Sequence, residues 1–382
     1  MDAEKGRDIT RDERDIHESH HVNEGIKIAK RAMNINLVNK QFTEYEILAQ
    51  ALVFFLAGYE TTTTTLTFCT YELALNPHIQ RHSQKKSILP SIPTEGSLAR
   101  LPYLDAVLSE TLRLHPPSLR LTRLAATDYK LDKTGITIQK GQQIEIPVYA
   151  IHTCKENYPN PFQFNPDRFM PENRHNMKPY TYLPFGAGPR SCIGMRFALL
   201  EAKLALAHII RRFNFIKTQN TDVPLQYKRT YRITTPKIFI IEIDSILIMI
   251  NNNKWKKTLN YWTERNIPGP KPIPIFGNYL SFFFKDLPHL ELEWYHKYGR
   301  LYGTFAGEKR ELMVSDPEMI KQLLVRDFYS MPNRRDIGTR HKVFMSVMFL
   351  SRDENWKRIR AIASSSFTSS KIKQTIGLIN EC

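Results

Sequence analysis

The sequence predicts a mainly α-helical chain with small β-sheets, an α+β class, on three observations. Helical apolar spacing runs from Glu44 to Leu75, and further helical patterns cover Tyr103–Leu114 and Met195–Phe213. Only two stretches, Lys130–Thr137 and Gln143–Tyr149, alternate as strands do, with Gly135 and Gly141 at turns. The 382 residues are 42% hydrophobic and 24% charged, which supplies ample core for a folded chain.

The same counts exclude several classes. Aromatic residues make up 11%, too many for a disordered chain. The four cysteines, Cys69, Cys154, Cys192 and Cys382, stand too far apart for a disulfide scaffold. Residues 1–31 are dominated by charge and histidine, so no secretory signal is expected there. The charge-free run Ile47 to Tyr59 falls short of the ~18 apolar residues a membrane span needs. Net charge is +16, of which residues 1–245 carry +7 and residues 246–382 carry +9. A spread basic excess admits an anionic membrane surface, an acidic partner or nucleic acid. The clustered basic helix, stacking aromatics and zinc spacing of a nucleic-acid binder are absent, so no nucleic-acid partner is expected.

In chain order, residues 1–41 read as a solvated, weakly helical lead-in. His17, His20 and His21, beside Glu18 and Glu24, read there as surface histidines rather than metal ligands. From Glu44 onward Ile47, Ala51, Phe54, Phe55 and Gly58 cover most of the circumference, so this helix of about thirty residues is expected to be buried. It ends before Asn76-Pro77. Its centre, Ala57-Gly58-Tyr59-Glu60-Thr61-Thr62, places a glycine, a carboxylate and the start of five threonines where each is costly. The next helix stops at His115-Pro116-Pro117 and carries Glu110 and Arg113 as i,i+3 neighbours, in isolation the pattern of a surface ion pair. Residues 155–181 hold five prolines and five asparagines and read as a long loop.

That loop leads into Leu183-Pro184-Phe185-Gly186-Ala187-Gly188-Pro189-Arg190-Ser191-Cys192-Ile193-Gly194. Its glycines and prolines fix a tight backbone with positions that allow positive φ. Cys192 lies where this loop gives way to a helix. Free N–H groups, the helix terminus and the charge of Arg190 are all expected to lower its pKa. The pattern is one for holding and presenting a single thiolate.

Phe185-x-x-Gly188-x-Arg190-x-Cys192-x-Gly194, with Ala198 following, resembles the haem-binding loop of the cytochromes P450. Glu110-x-x-Arg113, Phe164-Asn165-Pro166-Asp167-Arg168-Phe169 and Ala57-Gly58-x-x-Thr61 resemble three further motifs of that family, in the family's order, with Asp167 where glutamate is usual. The wording is closest to the microsomal, drug-metabolising 3A-like branch. The resemblance implies haem b with Cys192 as its axial thiolate, Arg190 and Arg123 on the propionates, and Phe185 packed on the proximal face. It also implies that Thr61 and Glu60 deliver protons for dioxygen activation, and that Glu110, Arg113 and Arg168 form a buried triad. Its partners would be NADPH-cytochrome reductase, O₂, an apolar small-molecule substrate and the cytoplasmic face of the endoplasmic reticulum membrane.

Residues 262–382 resemble the beginning of the same family, although they come last. Ile267-Pro268-Gly269-Pro270-Lys271-Pro272 resembles its proline-rich hinge. His289–Gly299, Glu318–Val325 and Tyr329–Arg334 resemble its early elements. Trp356-Lys357-Arg358-Ile359-Arg360 resembles the W-x-x-x-R whose Trp356 and Arg360 would also meet the propionates; in isolation these two would stack as a surface pair. The chain therefore divides into 1–245, a C-terminal catalytic half, and 246–382, an N-terminal portion, in reversed order with the middle missing. Ile238–Ile241 would be the last strand of one portion and Ile246–Ile250 an anchor remnant of the next. Gln84–Ala99 replaces an acidic helix with a Ser/Pro-rich run. Two explanations stand: a fused reading of two incomplete paralogues, or a permutation in which both portions serve one haem. The implied activity is a haem-thiolate monooxygenase; the alternative is an inactive haem-binding fragment without a complete substrate pocket.

Overall fold

In the computed structural model the described residues are 41–86, 101–132, 134–225, 259–273, 276–335 and 341–381. The histidine-rich lead-in, most of the Ser/Pro-rich run and the join near residues 236–253 lie outside them.

Helix α1, Glu44–Leu75, starts on a reciprocal cap in which Thr43 and Glu46 each accept the other's backbone N–H, and stops at Asn76. After it come α2, Pro77–Lys86, and α3, Pro102–Leu114, which has proline in its first turn. Strand β1, Arg120–Leu124, precedes a small hairpin of β2, Tyr129–Lys130, and β3, Thr137–Ile138. The Lys130–Thr137 run thus contributes to two short strands, with the turn expected at Gly135, which takes φ 71°. Strand β4, Gln143–Pro147, feeds the short helix α4, Val148–His152. The long loop, which holds short 3₁₀ turns, then delivers the chain to α5, Met195–Arg212.

The later residues add α6, Leu287–Tyr298, capped by the Asp286 side chain, then β5, Leu301–Ala306, and β6, Lys309–Val314. Helices α7, Pro317–Lys321, α8, Lys342–Ser346, α9, Asp353–Ser364, and α10, Ser369–Glu381, complete the described chain. One four-stranded sheet runs β1-β4-β6-β5, so strands from both portions share it. β4 pairs with β6 in parallel, Ile144 opposite Leu312; the other two pairs are antiparallel. One face of the sheet sends Ile144, Ile146, Leu312 and Val314 into a core shared with Trp262, Leu323 and Leu183. The opposite face, beneath α6, carries Met313 and Tyr302 with Leu290 and Trp294.

Helix α1 departs from the expectation of burial. Phe55 and Tyr59 are 68% and 69% exposed, and Tyr45, Ile47, Leu48 and Leu56 are exposed with them. Its buried residues sit at the two ends, Glu46, Ala49 and Gln50 against α8, and Thr65 to Leu73 against α2, α3 and α5. In its middle, Phe54 packs on Phe367 and Thr62 donates to Glu201, while Phe55, Leu56 and Tyr59 stay exposed.

Candidate functional site

The Cys192 loop is held by its own turns and by the later portion of the chain. Gly186 and Gly188 both adopt φ +72°, as the glycine pattern required. A Cβ on Gly188 would lie 1.9 Å from the carbonyl oxygen of Leu324, so only glycine admits that close approach. Within the loop, Gly186 N–H donates to Leu183 O, Ser191 N–H to Gly188 O and Cys192 N–H to Phe185 O, at 2.9–3.0 Å. Phe185 is half-buried, and Cys192 is exposed where Arg190 and Ser191 are buried.

The thiol pKa does not move as expected. Desolvation by the surrounding protein raises it, against the Gly194 N–H and the charges of Arg360 and Arg334. The turn and the cations act in the expected direction, and desolvation outweighs them.

Beside the loop lies a cluster of four arginines. Arg190 donates from Nε to Pro332 O and from Nη2 to Ser351 O, each at 2.9 Å, and its guanidinium lies 4.0 Å over the Trp356 ring. Arg334 donates to the Arg190 carbonyl at 3.1 Å and stacks on Phe349. Burial first, then the charges of Arg334, Arg123 and Arg360, push the Arg190 pKa far below its ordinary value, with only Asp353 opposing. Burial lowers Arg123, Arg334 and Arg360 as well. A guanidinium does not give up its proton, so these shifts express uncompensated positive charge. Arg123 Nε, Arg190 Nη1 and Arg360 Nε are buried donors without a hydrogen-bond partner. Buried cations with spare donors require an anion with several oxygens. A thiol faced by two of the same arginines adds a ligand for iron. A haem with two propionates fits both features.

The structure brings together Cys192, Phe185, Arg190, Arg123, Trp356 and Arg360. Trp356 and Arg360 do not form the expected surface pair: Trp356 is buried under Arg190, in a cluster with Phe328, Met348 and Ile359. Thr61 and Glu60 stand apart from this group on the exposed middle of α1. The Thr61 hydroxyl donates back to Ala57 O at 2.6 Å, and Thr65 donates to Thr61 O at 2.8 Å. The link from Thr61 to the loop is Phe54, two turns earlier on the same face, which packs with Ile193 against the Trp356 cluster. Sequence reasoning missed Arg334 as a member. Its signal was the Tyr329–Arg334 stretch, read only as an early element.

Behind the loop, Glu110 accepts from Arg113 Nε and Nη2 at 2.7 and 2.8 Å, with both side chains fully buried. Arg168 Nε lies 3.4 Å from the same carboxylate, completing the expected triad in place of a surface pair. Arg113 Nη1 donates to His152 O, and His152 Nε2 accepts from Leu183 N–H at 2.8 Å, where the Cys192 loop begins. Burial and the Arg113 charge pull the His152 pKa down to about 3, so the ring is the neutral acceptor that this bond needs.

The sequence profile of the cytochrome P450 family matches residues 7–242 and 267–382. The chain belongs to the cytochrome P450 family. It is 43% identical over 209 residues to cytochrome P450 3A2 of Rattus norvegicus, a match covering 54% of this chain and 41% of that one. Similarity to cytochrome P450 3A7 of Homo sapiens is 40% over 211 residues, covering 54% and 42%. Probable cytochrome P450 6a14 of Drosophila melanogaster matches at 41% over 225 residues, covering 57% and 44%. The chain thus spans about two fifths of the length of these cytochromes P450.

Proposed function

We propose that the chain forms a haem-thiolate monooxygenase site to which both portions contribute. The observation that carries this is Cys192 beside four buried arginines, three of which keep unmatched donors. Cys192 would ligate the iron of haem b, with Arg123, Arg190, Arg334 and Arg360 on the propionates and Phe185 against the ring. Haem, when bound, supplies the iron that activates O₂ so that one oxygen atom enters an apolar substrate, with electrons from NADPH-cytochrome reductase.

This chain's residues do the rest. The loop turns fix the sulfur, and the Gly194 N–H acts on it as a donor that favours the thiolate. The Thr61 hydroxyl donates to Ala57 O and would free that proton by rotating about χ1, with the exposed Glu60 beside it on the side of water. The exposed apolar residues of α1 offer an apolar substrate its contact surface. A single site built from both portions is supported by the shared sheet, by the Leu324 carbonyl against Gly188 and by Arg190 on Trp356. These contacts favour one permuted assembly over a fused reading of two incomplete paralogues. Among the described residues no helix is long and apolar enough to cross a membrane. The +16 charge supports a site at the anionic cytoplasmic surface of the endoplasmic reticulum and docking to an acidic reductase.

The test is reconstitution of the purified chain with haemin. Reduction under carbon monoxide is expected to give the strongly red-shifted thiolate band, and Cys192→Ala to lose it. An unshifted band, or one that survives Cys192→Ala, overturns the assignment. Haem binding without reductase-dependent NADPH consumption reduces it to a haem-binding role.

A further inference from the structure

Four arginines meet beside the Cys192 loop, each from a different element: Arg123 of β1, Arg190 of the loop, Arg334 of the stretch before α8 and Arg360 of α9. Arg123, Arg190 and Arg360 are each at most 9% exposed, and Arg123 Nε, Arg190 Nη1 and Arg360 Nε are donors without a partner. Aromatic rings back two of the guanidiniums: Trp356 lies 4.0 Å from Arg190, and Phe349 lies 3.9 Å from Arg334. Stacking fixes those planes and leaves the N–H groups along their edges to meet a ligand.

Among the described residues the acceptors that reach these side chains are neutral, backbone carbonyls and the Asn333 amide. Two carboxylates act on the group from a distance, Glu145 on Arg123 and Asp353 on Arg190, and neither is ion-paired to it. Both are engaged elsewhere: Thr122 and Gln143 donate to Glu145, and Asn333 donates to Asp353 at 2.7 Å. Cys192 acts on Arg334 and Arg360 with a single sulfur for both. Buried guanidiniums with open donors and only distant countercharge call for an anion with several oxygens.

We propose that in the haem-free chain this cluster binds free inorganic phosphate, and that haem loads by displacing it. The oxygens of a tetrahedral anion point in different directions, which suits donors arriving from four elements better than one planar carboxylate does. Phosphate held there bridges β1 and the Cys192 loop to α9, so it joins the two portions before haem does. Free phosphate thereby regulates how readily haem enters. The binding stands on the arginines alone, and the displacement rests on the haem reading above.

Two titrations of the full chain test this. Calorimetric titration of the haem-free chain with inorganic phosphate, at ionic strength held constant with chloride, is expected to show saturable binding of one phosphate per chain. Arg360→Gln should weaken it about tenfold or more, the loss expected for one charged donor. Arg123→Gln serves in its place if Arg360→Gln fails to fold. With phosphate at about ten times its own dissociation constant, the apparent dissociation constant of haemin should rise about tenfold. Binding no different from that of chloride, equal phosphate affinity in wild type and variant, or haemin affinity indifferent to phosphate overturns the proposal. Phosphate binding that shows the expected loss in the variant, in a chain that gives no thiolate band, sinks the haem reading and leaves the anion site standing.

Discussion

Cys192 shows how a single residue depends on neighbours it never touches. The chain Glu110–Arg113–His152–Leu183 carries a buried ion pair to the first residue of its loop. Glu110→Gln is therefore expected to cost roughly 3–5 kcal/mol by stranding Arg113 and Arg168, seen as a lower denaturant midpoint at unchanged slope. His152 sets an acid limit. Its folded pKa of about 3 lies below the unfolded 6.5, so its stabilisation is present above about pH 6.5 and lost as pH falls towards 3. Unfolding free energy is expected to drop by about 1.4 kcal/mol per pH unit in that window from this group, and His152→Gln to flatten that limb of the curve. Cys192, Arg190 and the triad were legible because glycines, prolines and an i,i+3 pair constrain local geometry. Arg334 was not, because an arginine in an Asn-Arg-Arg loop looks solvated until Arg190, 144 residues earlier, is placed against it.

At the scale of elements, α1 separates what periodicity tells from what it omits. Apolar spacing gave its extent, and Thr43 with Glu46 fixed its start, but spacing does not report whether a covering element exists. Phe55→Ser and Tyr59→Ser are accordingly expected to change unfolding free energy by no more than about 0.5 kcal/mol while reducing the binding of an apolar dye; a loss above about 2 kcal/mol would show that the helix is covered in solution. Strands β5 and β6 escaped notice because their environment is made elsewhere. Gly303 lies against Trp262, and Glu311 is buried only because Arg120 and Gln143 come from β1 and β4.

For the whole molecule, the sharing of one sheet by strands of residues 120–147 and 301–314 was not readable, since register between distant strands leaves no local pattern. If the four arginines receive haem propionates, haemin at about a hundred times its dissociation constant should add about 2.7 kcal/mol to unfolding, with a smaller gain in Arg360→Ala. The parallel β4–β6 pair has a further consequence, for biosynthesis. Gln143 and its partner Glu311 are 168 residues apart, an interval of roughly 8–35 s on the ribosome. Throughout that interval the nascent chain carries β4 with one hydrogen-bonding edge open and Glu145 without the strand that buries it. Yield from translation should therefore depend on chaperones that shield that edge, far more than refolding of the finished chain does.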